Sequence, residues 1–155
     1  MSKTCYVLGF VFQEEHGAWL IHKHRPEWLA NLYNGIGGHL EAGEVPLEAM
    51  IRECREETGV QIEDWTQFAD IVGTDFEIVV FYTIIPSSVS FTQTTDEELV
   101  CADIGDMYEY AQADKLAPHV LPLVFTAATH LELQNFRLKW EYDAEDKKVF
   151  DKSVK

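Results

Sequence analysis

An α/β fold built on a mixed β-sheet is what this sequence predicts, and three observations carry the prediction. Strand-length runs rich in Val, Ile, Phe and Tyr recur through residues 5–85. Residues 46–58 have instead the 3.6-residue period of a helix. Two later segments, 106–115 and 119–134, have helical composition. With 155 residues, 46% hydrophobic and 12% aromatic, the chain can bury the core of one domain.

Residues 5–12 and 19–21 read as two strands around the turn Glu14-Glu15-His16-Gly17. The next stretch, HKHRPEWLANLYNGIGGHLEAGE, is polar, aromatic and glycine-rich, and is expected to be a long loop with a function of its own. Pro46 suits the first position of a helix running to about Thr58. In that helix Leu47, Ile51 and Cys54, at i, i+4 and i+7, form a stripe expected to face the sheet. Val45 before it offers no side-chain acceptor, which leaves the capping to Pro46, Glu44 and Glu48. Residues 68–72, 77–85 and 99–104 read as further strands, and Pro122 has to lie in the first turn of the last helix. In NFRLKWEYD the apolar Phe136, Leu138, Trp140 and Tyr142 alternate with polar residues, the period of a half-buried strand. Residues 1–143 are read as one domain, and the charged tail 144–155 is expected to be frayed.

Composition excludes several classes of function. Twenty-seven acidic residues against 12 Lys plus Arg give a formal net charge of -15, which opposes a broad grip on a nucleic-acid polymer. A phosphate-bearing ligand would need a cation as mediator. The three cysteines, Cys5, Cys54 and Cys101, are far apart, as expected for reduced thiols in a cytoplasmic protein. No apolar run reaches bilayer length, so no membrane partner is expected.

Within RECREETGV, residues 52–60, Glu53, Glu56 and Glu57 crowd the helix end where the macrodipole is already negative. At 100° per residue Glu53 and Glu57 fall about 40° apart, with Glu56 on the other side of Glu53. Like charges at this spacing repel. A bound hard cation such as Mg²⁺ or Mn²⁺ accounts for the cluster, because such ions take carboxylate oxygens together with substrate phosphates. Gly35, Gly37, Gly38 and Gly43 just upstream let backbone come close to such a ligand.

The stretch GHLEAGEVPLEAMIRECREETGV meets every fixed position of the pattern G-x5-E-x7-R-E-U-x-E-E-x-G-U, with U apolar: Gly38, Glu44, Arg52, Glu53, Glu56, Glu57 and Gly59, with Cys54 and Val60 at the apolar sites. The probability of a chance match is on the order of 10⁻⁷ for average residue usage. The chain therefore resembles the Nudix hydrolases. That resemblance implies an α/β/α sandwich with a central mixed sheet. It also implies Mg²⁺- or Mn²⁺-dependent hydrolysis of a nucleoside diphosphate linked to another moiety. Carried over by position, Glu53 and Glu57 look like the main metal ligands, with Glu56 beside them and the Gly37 carbonyl completing the site. Arg52, four residues before Glu56, would orient a helix glutamate, and Glu44 resembles the family's outlying glutamate. The general base in the family is often a glutamate before a late strand, which matches Glu97 or Glu98 in TTDEELVCAD.

Within the family, LYNGIGGHLEAGE is similar to the corresponding stretch of 8-oxo-dGTP diphosphatases of the MutT type, and Asn34 matches the asparagine that reads an oxidised purine there. An amide both donates and accepts, which suits a base edge. Those enzymes also carry an acidic pair near the start of the C-terminal helix, where this chain reads KLAPHVLPLV, with Asp114 and His119 the nearby polar residues. Lys23 and Arg25 are placed to meet substrate phosphates, and Trp28 and Tyr33 to stack on a base. The expected partner is a small nucleotide, bound by a monomer or homodimer. ADP-ribose, nucleotide sugars, RNA 5′ ends and a non-catalytic sensor role are the alternatives.

Overall fold

The computed structural model describes residues 2–133 and 138–141. Strands β1 (Thr4–Gln13) and β2 (Gly17–His22) form a hairpin in which Gln13 pairs with Gly17. A 3-10 turn at Glu27–Leu29 leads into the short β3 (Tyr33–Asn34) and β4 (Ile36–His39), so the glycine-rich stretch expected to be a loop is partly strand. Helix α1 spans Pro46–Thr58, as its period predicts. It is followed by β5 (Thr66–Val72), β6 (Phe76–Ile85), β7 (Glu98–Ala102), α2 (Ile104–Gln112), α3 (Val120–Leu133) and β8 (Leu138–Glu141).

These strands make one eight-stranded sheet, with the path β3-β2-β1-β6-β5-β8 and with β4 and β7 added on β1 and β2. The β1–β6 and β5–β8 pairs are parallel and the other pairs antiparallel, so the sheet is mixed. Alternation along β1 sends Val7 and Val11 to one face, with Met50 and Cys54 of α1, and Leu8 and Phe10 to the other, with Met107 of α2 and Leu123 of α3. The result is an α/β/α sandwich.

Three expectations need correction. Leu47 is 40% exposed; the buried positions of α1 are Ala49, Met50, Cys54, Glu57 and Thr58. The stripe is rotated because Glu57 turns toward β4, where the Gly37 amide awaits it. The strand expected at 99–104 ends at Ala102, since Asp103 caps α2 by accepting from the Asp106 amide at 2.9 Å. At α1 Glu48, not Glu44, serves the N-terminus, accepting from the Val45 amide at 3.1 Å. Pro122 does fall in the first turn of α3. Of the alternating segment at the C-terminal end, Leu138–Glu141 is a strand; Phe136, Tyr142 and the tail 144–155 lie outside the described residues. Among the described residues no helix is long and apolar enough to cross a membrane.

Candidate active site

The C-terminal half of α1 supplies the carboxylates. Gly59, at φ 76°, ends the helix in the left-handed conformation, and its amide closes on the Arg55 carbonyl at 2.9 Å. The loop before β7 ties down the same end: the Thr92 amide donates to the Thr58 carbonyl at 3.0 Å, and the Thr94 hydroxyl to the Glu56 carbonyl. Glu97 is thereby carried back toward the glutamates of α1.

Arg52 organises the outer part of the cluster. Its guanidinium donates to Glu44 from Nε at 2.7 Å and from Nη2 at 3.0 Å, to Glu53 at 2.8 Å, to Glu56 at 3.3 Å, and to the His39 carbonyl at 2.9 Å. Glu44 also accepts from the Glu41 amide at 2.9 Å, so it holds the loop and the arginine together. The Arg52 hydrogen bond is the main cause that keeps the Glu44 carboxyl below its ordinary range, while the same carboxylates keep Arg52 firmly charged.

Glu53 and Glu57 are different. Burial, only partly offset by Arg52, raises the Glu53 carboxyl above its usual range. Glu57 is 8% exposed, accepts from the Gly37 amide at 3.1 Å, and is pushed up to about 8, first by burial. Lys23 opposes that shift; Glu53 and Glu97 add to it. Gly38 packs directly on the Glu53 carboxylate, where the Cβ of any other residue would collide with Oε1. Two desolvated carboxylates on a glycine floor are a donor set that suits a hard divalent cation. Among the described residues no three ligating side chains already converge on one point, so backbone, water and substrate oxygens would have to complete the shell.

Lys23 joins this cluster to the loop before β7. Its Nζ lies 2.7 Å from Glu97 Oε2, and the His24 amide donates to Glu97 Oε1 at 2.8 Å. Burial alone would raise the Glu97 carboxyl, but these hydrogen bonds and the Lys23 charge outweigh it and hold it low. Arg25 reaches Asp96 at 3.2 Å. Glu98 is exposed and pairs in register with His22 at the start of β7.

A cavity of about 700 Å³ is lined by Arg52, Glu53, Gly37, Gly38, Lys23 and Arg25 together with Trp28, Phe76, Ile78, Asn34 and His119; Glu56, Glu57 and Glu97 are not among its lining residues. Tyr33, offered above for stacking, is not among its lining residues: it is the strand neighbour of Asn34 and stacks on Tyr110 with centroids 4.3 Å apart. Phe76, Ile78 and the role of His119 escape a reading of the sequence, because apolar strand residues carry no mark of which cavity they wall. His119 reaches Asn34 through the pairing of Tyr33 with residues 115–117: the Tyr33 amide donates to the Lys115 carbonyl at 2.7 Å, and the Ala117 amide to the Tyr33 carbonyl at 2.9 Å.

Fold and site together define an α/β/α protein in which Arg52 and Glu53 of the glutamate-rich helix line a nucleotide-sized cavity. The family model for the NUDIX domain matches residues 4–124, and the chain belongs to that family. Nudix hydrolases act on pyrophosphate bonds and generally use divalent metals. Among solved structures, MutT from work on Aliivibrio salmonicida and Vibrio cholerae is 18% identical, with TM-score 0.62 over 80% of this chain and 97% of that one. The NUDIX domain of Shewanella oneidensis NrtR, complexed with ADP ribose, is 15% identical, with TM-score 0.71 over 84% and 90%. A NUDIX hydrolase from Nitrosomonas europaea is 14% identical, with TM-score 0.70 over 92% and 80%. At these identities the likeness is one of fold. No curated protein matches the sequence.

Proposed function

We propose that this protein is a metal-dependent pyrophosphohydrolase that cleaves a nucleoside triphosphate to the monophosphate and pyrophosphate, with an oxidised purine such as that of 8-oxo-dGTP among the candidate bases. The observation that supports this reading is that one cavity is lined both by Glu53 and Arg52 of α1 and by Asn34. A triphosphate would lie beside Glu53, Arg52 and Lys23, and a base beside Asn34.

Glu53 and Glu57, with Glu56 and the Gly37 carbonyl, would hold Mg²⁺ or Mn²⁺. When bound, the ion supplies neutralisation of the diphosphate charge and a lower pKa for water. Arg52 keeps Glu53 and Glu44 in place through three hydrogen bonds. Lys23 and Arg25 line the path and meet the phosphates. Glu97 is the favoured base: it is buried, ionised and oriented by two donors, whereas Glu98 is exposed. Asn34 reads the base edge, with Trp28 and Phe76 as apolar walls.

The test is pyrophosphate against orthophosphate release from 8-oxo-dGTP, ordinary dNTPs, ADP-ribose and nucleotide sugars, with and without Mg²⁺ or Mn²⁺. Metal-dependent pyrophosphate release from a triphosphate is expected. Because a neighbour of the same fold binds ADP ribose, turnover of ADP-ribose alone would replace the triphosphate reading with that second one.

A further inference from the structure

The cavity is lined by one hydrogen-bonding amide side chain whose orientation the structure determines. Asn34 is 6% exposed, and its Oδ1 accepts from the Gly35 amide at 2.9 Å. A backbone N–H can only donate, so the atom it meets is the carbonyl oxygen and not the amide nitrogen. The same oxygen lies 2.8 Å from Nε2 of His119, which is 4% exposed. Facing an acceptor, Nε2 must carry the imidazole proton. Both donors converge on Oδ1, and among the described residues the Asn34 NH₂ group has no protein partner. It is a free donor on a residue that lines the cavity.

We propose that His119 is the positioning residue that locks Asn34 with its NH₂ toward the ligand, so that the site selects a nucleobase presenting a carbonyl oxygen there over one presenting an amine. This rests on the nucleotide reading above. A base carbonyl accepts from the NH₂; an exocyclic amine sets donor against donor and leaves both buried without an acceptor. No carboxylate from residues 115–124 competes for this position, as that stretch contains none. Burial keeps His119 neutral, and its contact with the Asn34 oxygen then selects the Nε2–H tautomer.

The experiment compares kcat/KM for dGTP, dITP and dATP with Mg²⁺ in the wild type, H119Q and H119L, each checked for folding by circular dichroism. The wild type is expected to prefer the two keto purines by at least tenfold. H119L should reduce that preference to within threefold, mainly through KM, and H119Q, whose amide can donate from about the place of Nε2, should restore it. Folded H119L with the wild-type preference, or an equal loss on all three nucleotides, overturns the proposal. Imidazole ¹⁵N shifts of the ligand-free wild type test the lock without turnover, or if H119L fails to fold: the Nε2–H tautomer supports it, and the Nδ1–H tautomer or an imidazolium at pH 7 refutes it. Inactivity toward all triphosphates with the Nε2–H tautomer present would refute the triphosphate reading and the keto preference, but leave His119 as the positioner of Asn34.

Discussion

Arg52 and Glu44, eight residues apart, share two hydrogen bonds of 2.7 and 3.0 Å, and the same guanidinium reaches Glu53 at 2.8 Å. One planar fork thus joins the loop before α1 to the glutamates at its far end. Lysine cannot reproduce that geometry, since an ammonium is a point charge without a fork. Arg52→Lys is expected to lose about 1–3 kcal/mol of stability in urea unfolding, because carboxylates partly buried around the arginine lose donors. An unchanged midpoint would mean that the network is ornamental.

Glu57→Gln separates chemistry from folding. Turnover should fall by several orders of magnitude. With chelator present, the wild-type carboxyl, raised from 4.5 to about 8 by burial, is protonated near pH 6.5, where glutamine is nearly isosteric with it. Between these two pKa values the folded state holds more protons than the unfolded one, so this contribution to stability is full below pH 4.5 and is lost as pH rises through 8. Melting temperatures from pH 5 to 9 should therefore converge in acid and favour the variant in base; a variant that melts far earlier at pH 6.5 contradicts the assignment.

His119 gives a dependence of opposite sign. Its pKa falls from 6.5 to about 4 because burial disfavours the imidazolium. The unfolded chain binds the extra proton in that window, so stability is full above pH 6.5 and decreases as pH falls to 4, by on the order of 3 kcal/mol. In H119Q the acid limb of the stability profile should be flatter by about that amount.

Lys23→Met leaves Glu97 buried without its cation. The Glu97 carboxyl then rises, and the acid limb of the kcat/KM profile should move to higher pH. If Glu97 is the base, Glu97→Gln removes that limb altogether and lowers kcat by about 10²–10⁴. A limb that survives Glu97→Gln but vanishes in Glu98→Gln would transfer the role to its neighbour.

What was legible beforehand followed from local rules. The period of residues 46–58 marked α1 to its end residues, because a helix is set by neighbours three and four apart and closed by Gly59. Strand runs were legible, while β3 and β4 were not: two and four residues of Tyr, Asn, Gly, Ile and His carry little propensity and are strands only because β2 and β1 supply their hydrogen bonds. The direction of Glu57 was also hidden. A helical wheel groups it with Glu53 and Glu56, yet it is buried while Glu56 is exposed.

The sequence by itself determined the family and the carboxylate cluster, since the spacing of Gly38, Glu44, Arg52, Glu53, Glu56, Glu57 and Gly59 is complete within 22 consecutive residues. Only the tertiary structure decided the contact in which Asn34 meets His119 from 85 residues away. Spacing along one helix is fixed by covalent geometry and can be read directly. Contact across 85 residues exists only once the pairing of Tyr33 with residues 115–117 has closed the chain on itself.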